Sequence, residues 1–461
     1  MYSPPILSKP LLSLHRSYAW LGTLFALLCA FGLLLLEPFT SVLIATFYAY
    51  TELNPVLVMA FVFFGMASIT VQLLRRKMKV FVFDSACFLL LLIFAVHMFS
   101  GILNDTFPGR SVETTVWCLT TLGLYFLIIN CVNTRHRFRF FLWFVIILAL
   151  LQALSGIAEF VLNFDFIEKP QPADPVFGPM GEIYTRSDGT IADPNVFALY
   201  VQLALPFVIG KMFYSKTLTR KLFFFSLGFM ITLSMFLSFT RMIYISFLAG
   251  CVVVLMQKLN LRNIVVFVVA FLSFMIFLSI KGDLIVARFK SLSEVKNVGQ
   301  TSGEITGVTV RYNQYVAFRQ IIHGHYWFGR GGGNFYTRSA RFNPIARPGE
   351  EVGNIFLNVI ADIGIVGLIL YISMYIAMWI RLVKLTKLSD FLGDRELKEY
   401  CWSINIALIV TFVAIQTQPG YLMIAQFLCF AFISCLSNIV VTEIRSKLGN
   451  SHSFAVSSSG K

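Results

Sequence analysis

Charge is scarce in this sequence, and acidic charge most of all. Asp, Glu, Lys and Arg make up 13% of the 461 residues, with 23 acidic against 37 basic side chains. A soluble domain carries roughly 25% charged residues, so a water-exposed globular fold is excluded. No Asp-x-Asp motif occurs. No metal is therefore expected, and arginine must provide positive charge wherever a reaction needs it. The eight cysteines (Cys29, Cys87, Cys118, Cys131, Cys251, Cys401, Cys429 and Cys435) lie in apolar contexts or at helix ends, with no Cys-x-x-Cys pair. They read as packing residues, which excludes a disulfide framework or a redox centre. The glycine run at 329–333 is not followed by Gly-Lys-Ser/Thr, so it is not a P-loop. No internal repeat is visible, which argues against the inverted-repeat plan of many transporters.

What the chain has instead is apolar length. Hydrophobic residues make up 57%, including 48 Phe, and repeated apolar runs of about 20 residues mark a polytopic membrane protein. The runs fall at 17–36, 55–74, 80–102, 114–133, 139–163, 191–213, 222–239, 241–257, 263–280, 354–380, 402–418 and 421–441. The first is too long for a signal peptide and lacks a small-residue cleavage site, so it reads as an uncleaved span. Residues 38–53 are apolar but short and end before Pro55. As a full span they would put Arg75, Arg76, Lys77 and Lys79 outside, so they read as a re-entrant or tilted piece. The basic loops around Arg135, Lys211, Lys258, Arg381 and Arg445 then all fall in the cytoplasm. The expectation is an all-α integral membrane protein with about 12 transmembrane helices in a membrane domain over residues 1–450. Both termini are cytoplasmic, and the Ser-rich tail 451–461 is disordered. Positive-inside anchoring accounts for most of the net charge of +14, so nucleic acid is not an expected partner.

One segment breaks the charge rule. Residues 281–352 form a large, partly helical external loop, yet hold ten Lys/Arg against five Asp/Glu. Loops beyond about 60 residues escape the positive-inside bias. Guanidinium groups grip phosphate and carboxylate bidentately, so an arginine-rich external loop points to an anionic ligand. Four clusters line that side. Arg186 to Asn195 leads into a span, with Asp193-Pro194 as a plausible N-cap. Ser238-Phe239-Thr240-Arg241 makes a very short turn. Arg311 to Arg319 reads as an amphipathic helix over 310–322, followed by His323, His325 and the run Gly329-Arg330-Gly331, where glycine permits close backbone approach. Asn354, Asn358 and Asp362 recur at a four-residue spacing, which places them on one helix face. Asp84, His97 and Glu159 are further ionisable groups within apolar runs, where such groups face cavities or partners.

These clusters, in this order, resemble the O-antigen polymerase and O-antigen ligase superfamily of bacterial envelope biogenesis. Arg186, Gly189 and Asp193-Pro194-Asn195 match its first motif, and the turn ending at Arg241 matches the second loosely. Arg311 with Gly329-Arg330-Gly331 matches the third. Asn354, Leu357, Asp362, Gly364 and Gly367 match the last, with Asp362 where the family has glutamate. Ligases of this family place a histidine before the asparagine, and this chain has Gly353 there.

The resemblance implies a bacterial inner membrane enzyme with a periplasmic active face, both termini cytoplasmic and no cofactor. Its donor would be an undecaprenyl-pyrophosphate-linked glycan in the membrane lipid, and its acceptor a sugar hydroxyl on another lipid-linked unit. A chain-length regulator is a further partner that the resemblance allows. Fixed cations stabilise the growing charge of a pyrophosphate leaving group. Arg241 and Arg311 take that role, with Arg186 and Arg330 as helpers. Glu351 is the nominated general base, with Glu350, His323 and His325 as alternatives. Asn195, Arg319, Asn354 and Asp362 complete the substrate-binding set together with the two histidines. The absent histidine favours a polymerase of O-antigen or exopolysaccharide over a ligase acting on lipid A core. A polysaccharide transporter is the third reading.

Overall fold

A computed structural model describes residues 38–51, 55–74, 81–104, 108–162, 176–177, 183–184, 186–191, 193–257, 307–333, 335, 353–417 and 424–458. Twelve α-helices are described: α1 (Pro38–Thr51), α2 (Pro55–Leu74), α3 (Ser85–Leu103), α4 (Pro108–Cys131), α5 (Arg135–Leu162), α6 (Pro194–Tyr214), α7 (Leu218–Leu237), α8 (Arg241–Gln257), α9 (Gly307–Ile322), α10 (Ile355–Leu392), α11 (Arg395–Ala414) and α12 (Ile424–Ser458). A ladder of two residues a side, β1 (Val176–Phe177) with β2 (Ile183–Tyr184), is antiparallel. The protein is an all-α integral membrane protein. Eight of the described helices are long and apolar enough to cross a membrane, and three further apolar helices are shorter. The apolar runs 17–36 and 263–280 lie outside the described residues, as does the Gln418–Gly420 turn.

From α3 to α8, and again from α10 to α12, successive helices reverse direction and sort the polar residues into two ends. At one end Arg135 binds both Asp394 and Glu443, joining the starts of α5 and α11 to α12. Arg139 reaches Glu396 at 2.8 Å and Lys211 reaches Glu399 at 3.0 Å. Close by, Asp84 accepts the Cys87 N–H that opens α3 and is also bound by Tyr125, Ser434 and Arg381. Asp84 is thus paired, the role that burial of a charge among apolar helices demands. At the opposite end lie the arginine loop 186–191, the turn 238–240, α9 and the glycine loop. Between the ends, one apolar core runs through the bundle, with Phe138, Phe141, Phe197, Phe207, Phe236 and Phe430 among its fully buried side chains.

α1, in the stretch read as too short for a full span, has 14 residues, about 21 Å at 1.5 Å per residue, against a hydrocarbon core of roughly 30 Å. Two other helices differ from expectation. Asn354 is not part of the helical face proposed for Asn354, Asn358 and Asp362. It is the N-cap of α10, accepting the Phe356 and Leu357 N–H groups at 3.0 and 3.2 Å. α12 continues to Ser458, through residues expected to be disordered, because once a helix is nucleated each added residue gains its own hydrogen bond.

Candidate functional site

The arginine loop is stitched to three elements. Residues 152 and 159 are two helical turns apart on one face of α5, and both are buried. Glu159 Oε2 accepts the Gly189 N–H at 2.8 Å. Gln152 accepts the Thr190 N–H at 3.2 Å and donates to the Thr190 hydroxyl at 2.5 Å. Gly189 has φ +59°, a conformation glycine adopts without a Cβ penalty. The loop ends where Asp193 accepts the Asn195 N–H at 2.7 Å and Pro194 opens α6, the expected cap.

Arg186 ties this loop to the turn between α7 and α8. Its Nε donates to the Ser238 carbonyl at 2.9 Å, and one terminal nitrogen donates to Thr240 Oγ1 at 3.0 Å and Asn195 Oδ1 at 3.2 Å. The Ser187 N–H adds a bond to the Leu237 carbonyl at 3.2 Å. The turn needs this support. Phe239 is buried with φ +48°, a left-handed conformation that costs a residue with a Cβ roughly 1–2 kcal/mol. The strained turn delivers Arg241, half-buried, to the first position of α8. Arg186 and Asn195, expected as ligand contacts, therefore also build the site.

The glycine loop occupies a break in α10. Gly364 has φ +73° and ψ −169°, which interrupts the helix after two and a half turns. Irregular backbone inside a membrane protein must find partners within the protein, and the loop provides them. Arg330 and Gly331 donate their N–H groups to the carbonyls of Ala361 and Asp362 at 2.8 and 3.0 Å. Ile365 and Val366 donate to the carbonyls of Tyr326 and Trp327 at 2.8 and 3.2 Å. The buried Asp362 carboxylate accepts the Gly333 N–H at 3.2 Å. From the other side Asn104 donates to the Gly329 carbonyl at 3.1 Å and Ser111 to the Gly332 carbonyl at 3.2 Å. His97 is fully buried and packs so closely on Gly332 that a Cβ there would collide with its ring.

α9 docks on this arrangement through Ala317, Phe318, Ile321 and Ile322, which pack with Phe335 and Ala361. It starts at Gly307 rather than 310. Gln314 accepts the Gly353 N–H at 3.2 Å, fastening α9 to the start of α10. Arg330 Nε donates to the Ile321 carbonyl at 2.8 Å, where a basic group satisfies the carbonyls at a helix C-terminus. Arg319 and His323 are exposed, His323 meeting the Tyr326 ring edge-on at 6.3 Å. His325 is half-buried and its N–H donates to the Ile322 carbonyl. Arg311 sits on α9, three residues before Gln314, and its side chain lies outside the described residues, as do Glu350 and Glu351 entirely. Among the described residues no three His, Cys, Asp or Glu side chains are placed to hold a metal ion.

Glu159 had stood out in the sequence only as an ionisable group in an apolar run. Gln152, Ser111 and Asn104 gave no signal, because a lone polar residue in an apolar run does not show which loop it will meet.

Residues 224–372, from α7 into α10, match the family model described as O-antigen ligase. The match supports the resemblance to the O-antigen polymerase and ligase superfamily. The matched stretch contains the 238–241 turn, α9, the glycine loop and the break in α10. Arg186 and Asn195 lie before it. The family supports a glycosyltransferase-like activity of ligase or polymerase type, carried by a multi-pass membrane protein. No curated protein matches the chain.

Proposed function

We propose that this chain is an O-antigen or exopolysaccharide polymerase. It moves a glycan from undecaprenyl pyrophosphate to a sugar hydroxyl of another lipid-linked unit at the periplasmic face of the inner membrane. The observation that carries the reading is Arg241, set by a strained, braced turn at the first position of α8. A helix N-terminus bears positive potential and suits phosphate, and a guanidinium placed there adds a full charge.

In this reading the acceptor hydroxyl attacks the anomeric carbon, and the bond from that carbon to the pyrophosphate oxygen breaks. The electron pair leaves with the pyrophosphate, where Arg241 and Arg311 stabilise the growing negative charge. The hydroxyl proton passes to Glu351. Arg319, His323, His325 and Arg330 bind donor or acceptor sugars and phosphates, and no metal takes part. The end of the bundle holding Arg135 and Lys211 faces the cytoplasm, as its basic loops require.

A ligase acting on lipid A core is the second reading, favoured by the description of the matching family. Gly353 weighs against it, since it offers no side chain where ligases of the superfamily carry histidine. Surface-glycan profiling after gene deletion, with complementation by wild type or Arg311→Ala, separates the two. Collapse of a ladder to core plus one unit, unrescued by the variant, supports the polymerase. Loss of all core-attached glycan with accumulation of lipid-linked polymer overturns it in favour of a ligase.

A further inference from the structure

A polar concavity lies at the end of the bundle opposite the arginine loop. A cavity of about 1010 Å³ opens where α6 ends and α7 and α11 begin, with Trp143 of α5 at its wall. Four cations line it: Lys211, Lys216, Arg220 and Arg395. Its two carboxylates are already committed, Glu399 to Lys211 at 3.0 Å and Glu396 to Arg139 at 2.8 Å. Arg395 donates to the Tyr214 carbonyl at 2.9 Å, and Lys211 lies over the Trp143 ring at 5.7 Å. Lys216 and Arg220 are exposed and make no ion pair among the described residues. The N-cap of α7, Thr217, makes no side-chain hydrogen bond to the first turn, so the N–H groups that end the helix are left for a ligand.

A lipid-facing surface continues from the same cavity. Leu218, Leu222, Phe225 and Phe229 recur at helical spacing down α7, and all four are exposed, Leu218 at 71%. Phe223 joins the cavity to this stripe. Uncommitted positive charge at a membrane boundary, beside an apolar track, is the complement of a phospholipid: headgroup phosphate above, acyl chain below.

We infer that this cavity binds the phosphate headgroup of an anionic phospholipid, with an acyl chain lying along the exposed face of α7. The site is separate from the arginine loop and does not depend on which glycan is transferred.

The test uses the purified full chain in nanodiscs of phosphatidylcholine alone or with phosphatidylglycerol. Native mass spectrometry after delipidation reads bound lipid, and thermal unfolding reads stabilisation. Wild type should retain phosphatidylglycerol and melt higher in its presence. Lys216→Gln with Arg220→Gln should weaken retention roughly thirtyfold, for two charges near a membrane surface, while Lys216→Arg with Arg220→Lys should keep it. If the double variant does not fold, each single variant carries the same comparison. Equal retention in the charge-removed variant, or equal melting in both nanodiscs, overturns the inference. Stabilisation by inorganic pyrophosphate in detergent, without phosphatidylglycerol retention, identifies a soluble anion and overturns the lipid assignment.

Discussion

Gly364 lies directly against the carbonyl of Trp327, and a side chain on it would collide with the backbone of the glycine loop. The break in α10 and the loop that fills it are therefore one unit. Neither conformation is available without the other, because the loop N–H groups and the broken helix carbonyls satisfy each other. The interruption brings Asp362 to Gly333 and sets the loop that carries Arg330.

Gly364→Ala should be severely destabilising. The backbone there lies in a region essentially reserved for glycine, costing about 1–3 kcal/mol, and the collision adds a similar amount. Gly393→Ala is the control. Gly393 has φ +64° but nothing within 4 Å of a new Cβ, so only about 1–2 kcal/mol of backbone strain is expected. Thermal unfolding in detergent should rank the two clearly apart, and equal melting temperatures would refute the tight-fit account.

Arg186→Lys should impair glycan transfer almost as much as Arg186→Ala. Lysine keeps the charge but cannot reach Ser238, Thr240 and Asn195 in the fixed geometry of a guanidinium. Both variants should also lower the melting temperature, since hydrogen bonds from a charged donor contribute about 1.5–3 kcal/mol. Arg241→Ala should reduce transfer about a hundredfold, the typical cost of losing one transition-state contact. Normal activity of Arg241→Ala at wild-type protein level would remove it from the mechanism.

Glu159→Ala should cost about 1–3 kcal/mol by leaving the buried Gly189 N–H without its acceptor. Glu159→Gln keeps a carbonyl oxygen in that place and should retain most of the stability. Hydrogen exchange at Gly189, fast in the alanine variant and slow in the glutamine variant, would check the assignment.

The Asp394 contact should show in acid. Burial works to raise its pKa, but the Arg135 hydrogen bond, two backbone N–H groups and the Arg135 charge together hold it below the ordinary aspartate value of 3.8. A carboxyl with a depressed folded pKa stabilises above its unfolded pKa, and this contribution fades as pH falls through the folded value. Asp394→Asn still caps α11, so the melting-temperature gap between wild type and variant should be constant near neutrality and close below about pH 4. The absence of any gap at neutral pH would assign the stabilisation to the cap alone.

The sequence by itself determined the membrane class and the grouping of polar clusters at one end. These follow from apolar run length and from where Lys and Arg sit, and both are local properties. It also showed that Asp193-Pro194 starts a helix, since capping needs only adjacent residues. What only the tertiary structure decided is which groups meet. Glu159 holding Gly189, Arg186 bracing a turn more than 50 residues away, and the glycine loop filling the break at Gly364 depend on long-range packing. The sequence shows that Arg186 is charged and that Gly364 lacks a side chain. Whether a guanidinium binds a ligand or a carbonyl depends on what the fold places within 3 Å of it.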